Sequence, residues 1–211
     1  MNYYNKKYFD VQKKAGMYGV QQDIWMYEPF IKNDDKVLDF GCGGGYMLER
    51  LNCGSKFGVD INSQARREAE KKRIKVFETL DDLPDGIKFN VIFSHHTLEH
   101  VDNPIQILKS LRKYLKKGGL IIVTVPIDDW RNEKKFKPED VNQHLFTWTP
   151  LLLGNLFTHS GYKIKEIKII ERAWIPLSRI YYRIIPKLFY NFFSMLWSKL
   201  VLSRQIRIIA H

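Results

Sequence analysis

Cysteine is scarce. Cys42 and Cys53 are the two among 211 residues, too few for a disulfide framework or a four-cysteine zinc site. The N-terminal stretch MNYYNKKYFDVQKK lacks the apolar core of a secretory signal. No run approaches the roughly 20 apolar residues of a membrane-spanning helix. In the most aromatic part of the chain, the charge-free window Leu188–Ser198 is 11 residues long. Low-complexity runs, internal repeats and Gly/Ser linkers are also missing. The compartment these absences imply is the reducing cytosol, and one domain is expected at this length.

Acidic residues are missing from 172–211, which holds seven basic groups and eight aromatics: Trp174, Tyr181, Tyr182, Phe189, Tyr190, Phe192, Phe193 and Trp197. The other 171 residues carry 27 basic against 23 acidic side chains, so most of the net +11 sits near the C-terminus. What is present otherwise is ordinary for a folded domain, with 45% hydrophobic and 27% charged residues.

The periodicity alternates between strand and helix. Residues 5–15 and 20–31 read as helices, closed by Pro29 and Asn33 to Asp35. Lys36 to Phe40 is a short apolar run ending in glycines, the mark of a buried strand. A helix from about Tyr46, a strand at 56–60 and a helix at 64–72 follow, the last with Ser63 as N-cap. Further strands are expected at 74–78, 89–94 and 119–125. A helix from about Asn103 to Lys117 lies before the last of them, stopped by Gly118 and Gly119. A helix from Thr149 and a strand at 162–171 complete the pattern. Alternation of this kind predicts a doubly wound α/β fold with a parallel sheet.

Ligands in such folds bind beyond the carboxyl ends of the strands. The first strand ends in Asp39-Phe-Gly41-Cys42-Gly43-Gly44-Gly45, where glycines let the backbone turn and approach a ligand. A dinucleotide loop would want glycine at 46, where Tyr46 stands. Asp39 would also repel a diphosphate. The second strand ends in Asp60, placed to accept both hydroxyls of a ribose. An acid beside a glycine loop, followed by a ribose-binding acid, fits a nucleoside carrying a cationic tail.

VLDFGCGGG, GVDIN, HHTLEHVDNP and LKKGGLIIVTVP together resemble the class I S-adenosylmethionine-dependent methyltransferases, over about residues 35–170. The resemblance implies a Rossmann-like seven-stranded sheet with an antiparallel seventh strand. It implies S-adenosylmethionine as cofactor and S-adenosylhomocysteine as product. Asp39, Gly41, Cys42 and Gly43 would shape the methionine pocket, with Gln12 reaching the methionine carboxylate. Asp60 would hold the ribose, Ile61 would lie against the adenine, and Thr79 and Leu80 would frame its edge. Ser94 and His95 would face the methionine and sulfonium. The family's usual Asp at the start of the fourth strand is Asn90 here.

A base helps methyl transfer to a hydroxyl. His144 and His96 are the candidates expected to face the acceptor, with Asp128 and Asp129 as rivals. His96-Thr-Leu-Glu99-His100 also matches a zinc-peptidase pattern. It follows a strand directly, however, and Glu99 and His100 read as structural residues of that turn, so no metal is expected. The Asn/Asp-Pro-Pro-aromatic run of nitrogen-targeting nucleic-acid enzymes is replaced by Ser94-His95-His96-Thr97. Oxygen acceptors are therefore favoured, and nucleic acid is not expected as a partner.

The division expected is a helical cap (1–34), a cofactor-binding domain (35–173), a basic aromatic helical insert (174–202) and a final strand (203–211). The insert reads first as a dimer contact or a lid, then as a surface for the inner face of a membrane, and third as an RNA-binding patch. Inserts of this kind resemble those of bacterial surface-polysaccharide methyltransferases, whose acceptors are sugars or lipid-linked glycans. A non-catalytic cofactor-binding or membrane-docking module and an NAD-binding reductase are the competing functions.

Overall fold

The computed structural model describes residues 6–128, 134–138, 140 and 142–211. Its centre is a seven-stranded sheet: β1 (Lys36–Phe40), β2 (Ser55–Val59), β3 (Lys75–Phe77), β4 (Phe89–His95), β5 (Leu115–Ile127), β6 (Ile164–Ile170) and β7 (Arg204–Ala210). The spatial order is β3-β2-β1-β4-β5-β7-β6. The first five strands are parallel, and β7 runs antiparallel between β5 and β6. The fold matches the expected seven-stranded, doubly wound architecture.

Strand side chains alternate between two apolar layers, so one sequence fills both. Leu38, Ile92, Ile121 and Ile208 point to one side, where α4 (Pro104–Tyr114) and α5 (Pro150–His159) supply Leu108, Leu111, Leu153 and Phe157. Val37, Val91, Phe93, Ile122 and Ile209 point to the other, against residues from α1 (Lys6–Asp23), α2 (Tyr46–Arg50) and α3 (Ser63–Glu70). Burial on both faces explains why the central strands read as unbroken apolar runs. Between β6 and β7 lie α6 (Ser178–Ile184) and α7 (Lys187–Val201), the helical insert. Among the described residues, no helix is long and apolar enough to cross a membrane.

Three local expectations are corrected. The separate helices at 5–15 and 20–31 are one helix, α1, followed by 3₁₀ turns at Ile24–Met26 and Glu28–Phe30. Gly16 and Gly19 do not break it. A Cβ at either would stand 2.6 Å from the Tyr46 ring or 1.9 Å from Trp174, so these glycines serve close packing. Ser63 is the first residue of α3, not its cap. Asn62 caps it, its side-chain oxygen accepting from the amides of Gln64 (2.9 Å) and Ala65 (3.4 Å). Gly118 and Gly119 do not end α4, which stops at Tyr114 with Leu115 already extended. Asn90 keeps a structural hydrogen bond despite its departure from the family's acid: its Oδ1 accepts from the Lys36 amide at 3.0 Å.

The cap assignment is testable by denaturant unfolding. Asn62→Ala is expected to lower stability by about 1 kcal/mol, since it orphans helix amides. Ser63→Ala should stay within about 0.5 kcal/mol of wild type; equal losses from both would return the cap to Ser63.

Candidate active site

The parallel strands end on one side of the sheet, and a cavity of about 1330 Å³ opens there. Its floor is the turn after β1. Gly41 (φ +81°), Gly43 (+51°) and Gly45 (+72°) all occupy the left-handed region, which costs other residues about 1 kcal/mol or more. A Cβ on Gly41 would lie 2.1 Å from Thr97 Oγ1, so space as well as dihedral demands glycine there. At Gly43 nothing stands within 4 Å, leaving the backbone open to the cavity.

Asp39 and Asp60, at neighbouring strand ends, both face this space. Asp60 is tied to the loop: its Oδ2 accepts from the Gly43 amide and its Oδ1 from the Asn62 amide, each at 2.8 Å. Burial pushes its carboxyl up, and those two amides and Arg66 pull it back. Asp39 is raised well above the carboxylate range by burial, with the Asp60 charge adding to the effect. Two buried acids sharing a cavity call for a cation and for hydroxyl donors, because either restores what desolvation removed.

S-adenosylmethionine meets both demands, and the residues present fit it. Its ammonium would sit by Asp39, its ribose hydroxyls would donate to the remaining lone pairs of Asp60, and the open backbone at Gly43 leaves room for the chain between. Ile61, 56% exposed at the cavity edge, offers an apolar surface for a base. Cys42 lines the loop with its thiol pushed well up by burial, so it stays neutral and unreactive. α1 covers the opening and brings Gln12 to the cavity wall.

Three expected cofactor contacts are not brought there. Ser94 is buried and donates from Oγ to the Phe40 carbonyl at 2.8 Å, spending its hydroxyl between β1 and β4. Thr79 bonds Asp82 from both its amide and its hydroxyl, in a capping box. Leu80 is buried in the sheet's apolar layer. None of the three lines the cavity.

The opposite end of the cavity is built from histidines. His96 stands just past β4 with φ +52°, strain of about 1–3 kcal/mol for such a residue. Its amide donates to the Thr124 carbonyl at 2.9 Å, and its Nε2 lies 2.8 Å from Gln205 Oε1 on β7. Burial lowers its basicity, against the pull of that hydrogen bond. With a carbonyl oxygen as partner, Nε2 carries the proton. His95 is lowered further by burial. Its Nδ1 lies 2.8 Å from Tyr27 Oη and its Nε2 3.8 Å from Asp23 Oδ2. Burial raises the Asp23 carboxyl to about 7, opposed by Trp174 and Arg172.

His144 comes from the segment after β5. Glu99 fixes that segment, its backbone carbonyl accepting from the amides of Leu145 (2.8 Å) and Phe146 (3.3 Å). His144 Nδ1 is 2.8 Å from Asp128 Oδ2. Burial opposes the imidazolium, but the Asp128 hydrogen bond and charge outweigh it and raise His144 above the ordinary value. Asp128 is therefore the partner of His144 and not its rival; Asp129 lies outside the described residues.

Glu99 and His100 are more than a structural turn. Both line the cavity, and their ligating atoms and that of His144 lie within 4.8 Å of one another. The Glu99 side chain is fully buried, and burial raises it to about 7. His100 is lowered by burial to about 4 and stays neutral. Sequence reasoning missed Asp23, Tyr27 and Gln205. They come from a helix end, a 3₁₀ turn and the last strand, and no spacing ties them to the site.

The sheet order and the paired strand-end acids define the class I, Rossmann-like architecture built around S-adenosylmethionine. The chain belongs to the family described as "Methyltransferase domain", whose model matches residues 18–167. It thus carries a class I methyltransferase domain, of the family whose cofactor is S-adenosylmethionine. Among curated relatives, a ubiquinone biosynthesis O-methyltransferase of Glaesserella parasuis is 33% identical over 104 residues, covering 42% of this chain and 44% of the relative. A ribosomal protein L11 methyltransferase of Neisseria gonorrhoeae is 34% identical over 112 residues, covering 49% and 36%. The chain thus spans less than half the length of these relatives. The structure of a methyltransferase from Thermotoga maritima, titled a possible histamine N-methyltransferase, aligns over 95% of this chain and 94% of its own. Its TM-score is 0.66 at 18% identity, a likeness of fold.

Asp60→Ala is expected to weaken S-adenosylhomocysteine binding at least tenfold by calorimetry, with the protein still folded by circular dichroism. The loss follows from removing hydrogen bonds to a charged acceptor, worth about 1.5–3 kcal/mol. Unchanged affinity would remove the ribose assignment.

Proposed function

We propose that the protein moves the methyl group of S-adenosylmethionine to a hydroxyl of a small acceptor, a sugar or lipid-linked glycan intermediate. The observation that carries this reading is the His144–Asp128 pair, held at 2.8 Å and opening on the same cavity as Asp39 and Asp60. When bound, the cofactor supplies an electrophilic methyl on a sulfonium that departs as a neutral thioether, so the leaving group needs no acid. The chain's own task is to place the acceptor and take its proton.

In this reading His144 is the base. Asp128 engages Nδ1, which leaves Nε2 free to accept the hydroxyl proton. It also stabilises the imidazolium that results, as a carboxylate does for a catalytic histidine. His96 is a positioning residue for the acceptor, its ring fixed by Gln205. With its Nε2 proton committed to Gln205, that nitrogen is neither a base nor a donor to the acceptor. Asp39, Gly41, Gly43 and Asp60 would hold the cofactor, with Cys42, Ile61, His95 and Gln12 around it.

A sugar-sized or larger acceptor is supported by the room available. The cavity exceeds the roughly 300–1,000 Å³ of ordinary small-molecule sites. Its far wall comes from the insert, where Asn191 and Trp197 present amide and indole groups. Such mixed polar and aromatic walls suit a sugar ring, which has both polar edges and apolar faces.

His144→Ala is expected to lower kcat by about 10²–10⁴-fold, the usual contribution of a general base, with S-adenosylhomocysteine affinity unchanged by calorimetry. The pH profile carries a sign. Asp128 raises His144, so neutral imidazole, and with it the rate, increases as pH climbs through a value above the ordinary 6.5. Asp128→Asn should move that rising limb to lower pH and reduce the plateau; an unmoved limb in this variant would take the base role from His144.

A further inference from the structure

Glu99 is a carboxyl group with nothing to hold. Its side chain is fully buried, and among the described residues neither oxygen has a hydrogen-bond partner. His96 Nδ1 at 3.7 Å and His100 Nε2 at 4.0 Å lie by its Oε1 but stand beyond hydrogen-bond reach. Protonation does not mend this, because the O–H of the neutral acid would be left as unpaired as the carboxylate. Leaving such a group buried costs about 1–3 kcal/mol, and more when it is charged. Yet the turn that carries it is held firmly. The His96 backbone is strained into the left-handed region, with its amide tied to the Thr124 carbonyl on β5 at 2.9 Å. The His100 amide donates to the Thr97 carbonyl at 3.0 Å.

The groups around Glu99 supply what a cation requires. One ligand atom each from Glu99, His100 and His144 lies within 4.8 Å of the others, and all three side chains line the cavity. With Nδ1 of His144 engaged by Asp128 at 2.8 Å, Nε2 is the lone pair left for an ion. A carboxylate on the far nitrogen of a histidine is the usual support of a metal ligand. His96 adds a lone pair on Nδ1, since its other nitrogen carries the proton to Gln205. The Glu99 carbonyl anchors Leu145 and Phe146 and so brings His144 to its place; two of the ligands are fixed through one junction. Two imidazoles and a carboxylate are the donors of open zinc sites and of other first-row transition metals, whereas magnesium and calcium take oxygens. Tetrahedral bonds of about 2.0–2.2 Å set ligand atoms about 3.4 Å apart, so these atoms need close by no more than about 1.4 Å.

We propose that Glu99, His100 and His144 bind a divalent first-row transition metal of the zinc class. The ion gives the buried carboxylate its missing partner and keeps its open position toward the cavity. The arrangement is not that of a peptidase. There both histidines of the H-x-x-E-H pattern ligate from a helix, whereas Leu98–His100 is a single 3₁₀ turn and His144 comes from beyond β5. A ligated His144 has no lone pair for the acceptor's proton, so ion and proton exclude each other at Nε2. The ion is therefore a brake on the base. Only this consequence rests on the catalytic reading of His144; binding itself rests on the three side chains.

The test is zinc binding by the untagged full chain, freed of metal by chelation and followed by calorimetry. One zinc ion per chain is expected, with magnesium unable to displace it. Glu99→Gln and His100→Ala should each weaken binding by about a hundredfold or more, and Asp128→Asn, which removes a support and not a ligand, by about 10–100-fold. Circular dichroism reports whether each variant has kept its fold. X-ray absorption at the zinc edge of the wild type needs no variant, and should show two imidazoles and a carboxylate around the ion. Three outcomes would overturn the proposal: no stoichiometric uptake, uptake unchanged in Glu99→Gln or His100→Ala, or an ion with fewer than two imidazoles around it. Binding is read without turnover, so these failures are distinct from failure of the base reading, which the pH profile of methyl transfer reports.

Discussion

Two carboxylates taken out of water at adjacent strand ends are the constraint from which the site follows. Asp39 and Asp60 can lie there because β1 and β2 are parallel neighbours, in register from Lys36 opposite Ser55 to Phe40 opposite Val59. The Gly43 amide reaches across to Asp60, so the loop after one strand is secured by the acid after the next. That contact leaves Asp39 as the less compensated of the pair. A cationic ligand relieves it, and a phosphate would not. The choice of cofactor class is in this sense an electrostatic consequence of strand order.

At the histidine end of the cavity the chemistry is graded by burial. His95, His96 and His100 are all made less basic by loss of water, whereas His144 alone of this group gains enough from a carboxylate to rise. Four imidazoles within one cavity would repel one another if charged. Keeping three neutral removes that cost and leaves one as the site where a proton is taken up. Glu99, raised to about 7 beside them, is a neutral acid below that pH and adds no strong field of its own there.

The sheet was legible because buried parallel strands are apolar runs and their ends carry the glycines and acids. The same logic located Asp39, Gly41, Gly43 and Asp60, where backbone shape and side-chain charge are written locally. It failed where tertiary packing decides. The stretch 16–19 reads as a gap between two helices, yet Gly16 and Gly19 lie inside α1 and make room for Tyr46 and Trp174, which belong to distant segments. Ser94 and Thr79 were polar groups in the right stretch, but each is consumed by a neighbour, Phe40 or Asp82. The Tyr27–His95–Thr124 cluster joins a turn, β4 and β5, and no pattern in one chain reports a meeting of that kind. The insert gave away its charge and aromatic content, but only the fold shows which side of α7 faces outward.

The placement of β7 between β5 and β6 bears on how the nascent chain matures. Synthesis runs from the N-terminus, so β5 and β6 emerge from the ribosome before their shared neighbour exists. Until residues 204–210 arrive, the Ile121–Ile127 edge of β5 stays unpaired on that flank, and β6 has no strand to join among those already made. Gln205, the residue that grips His96, arrives on this same late element. The histidine end of the cavity therefore waits on the last strand to be made.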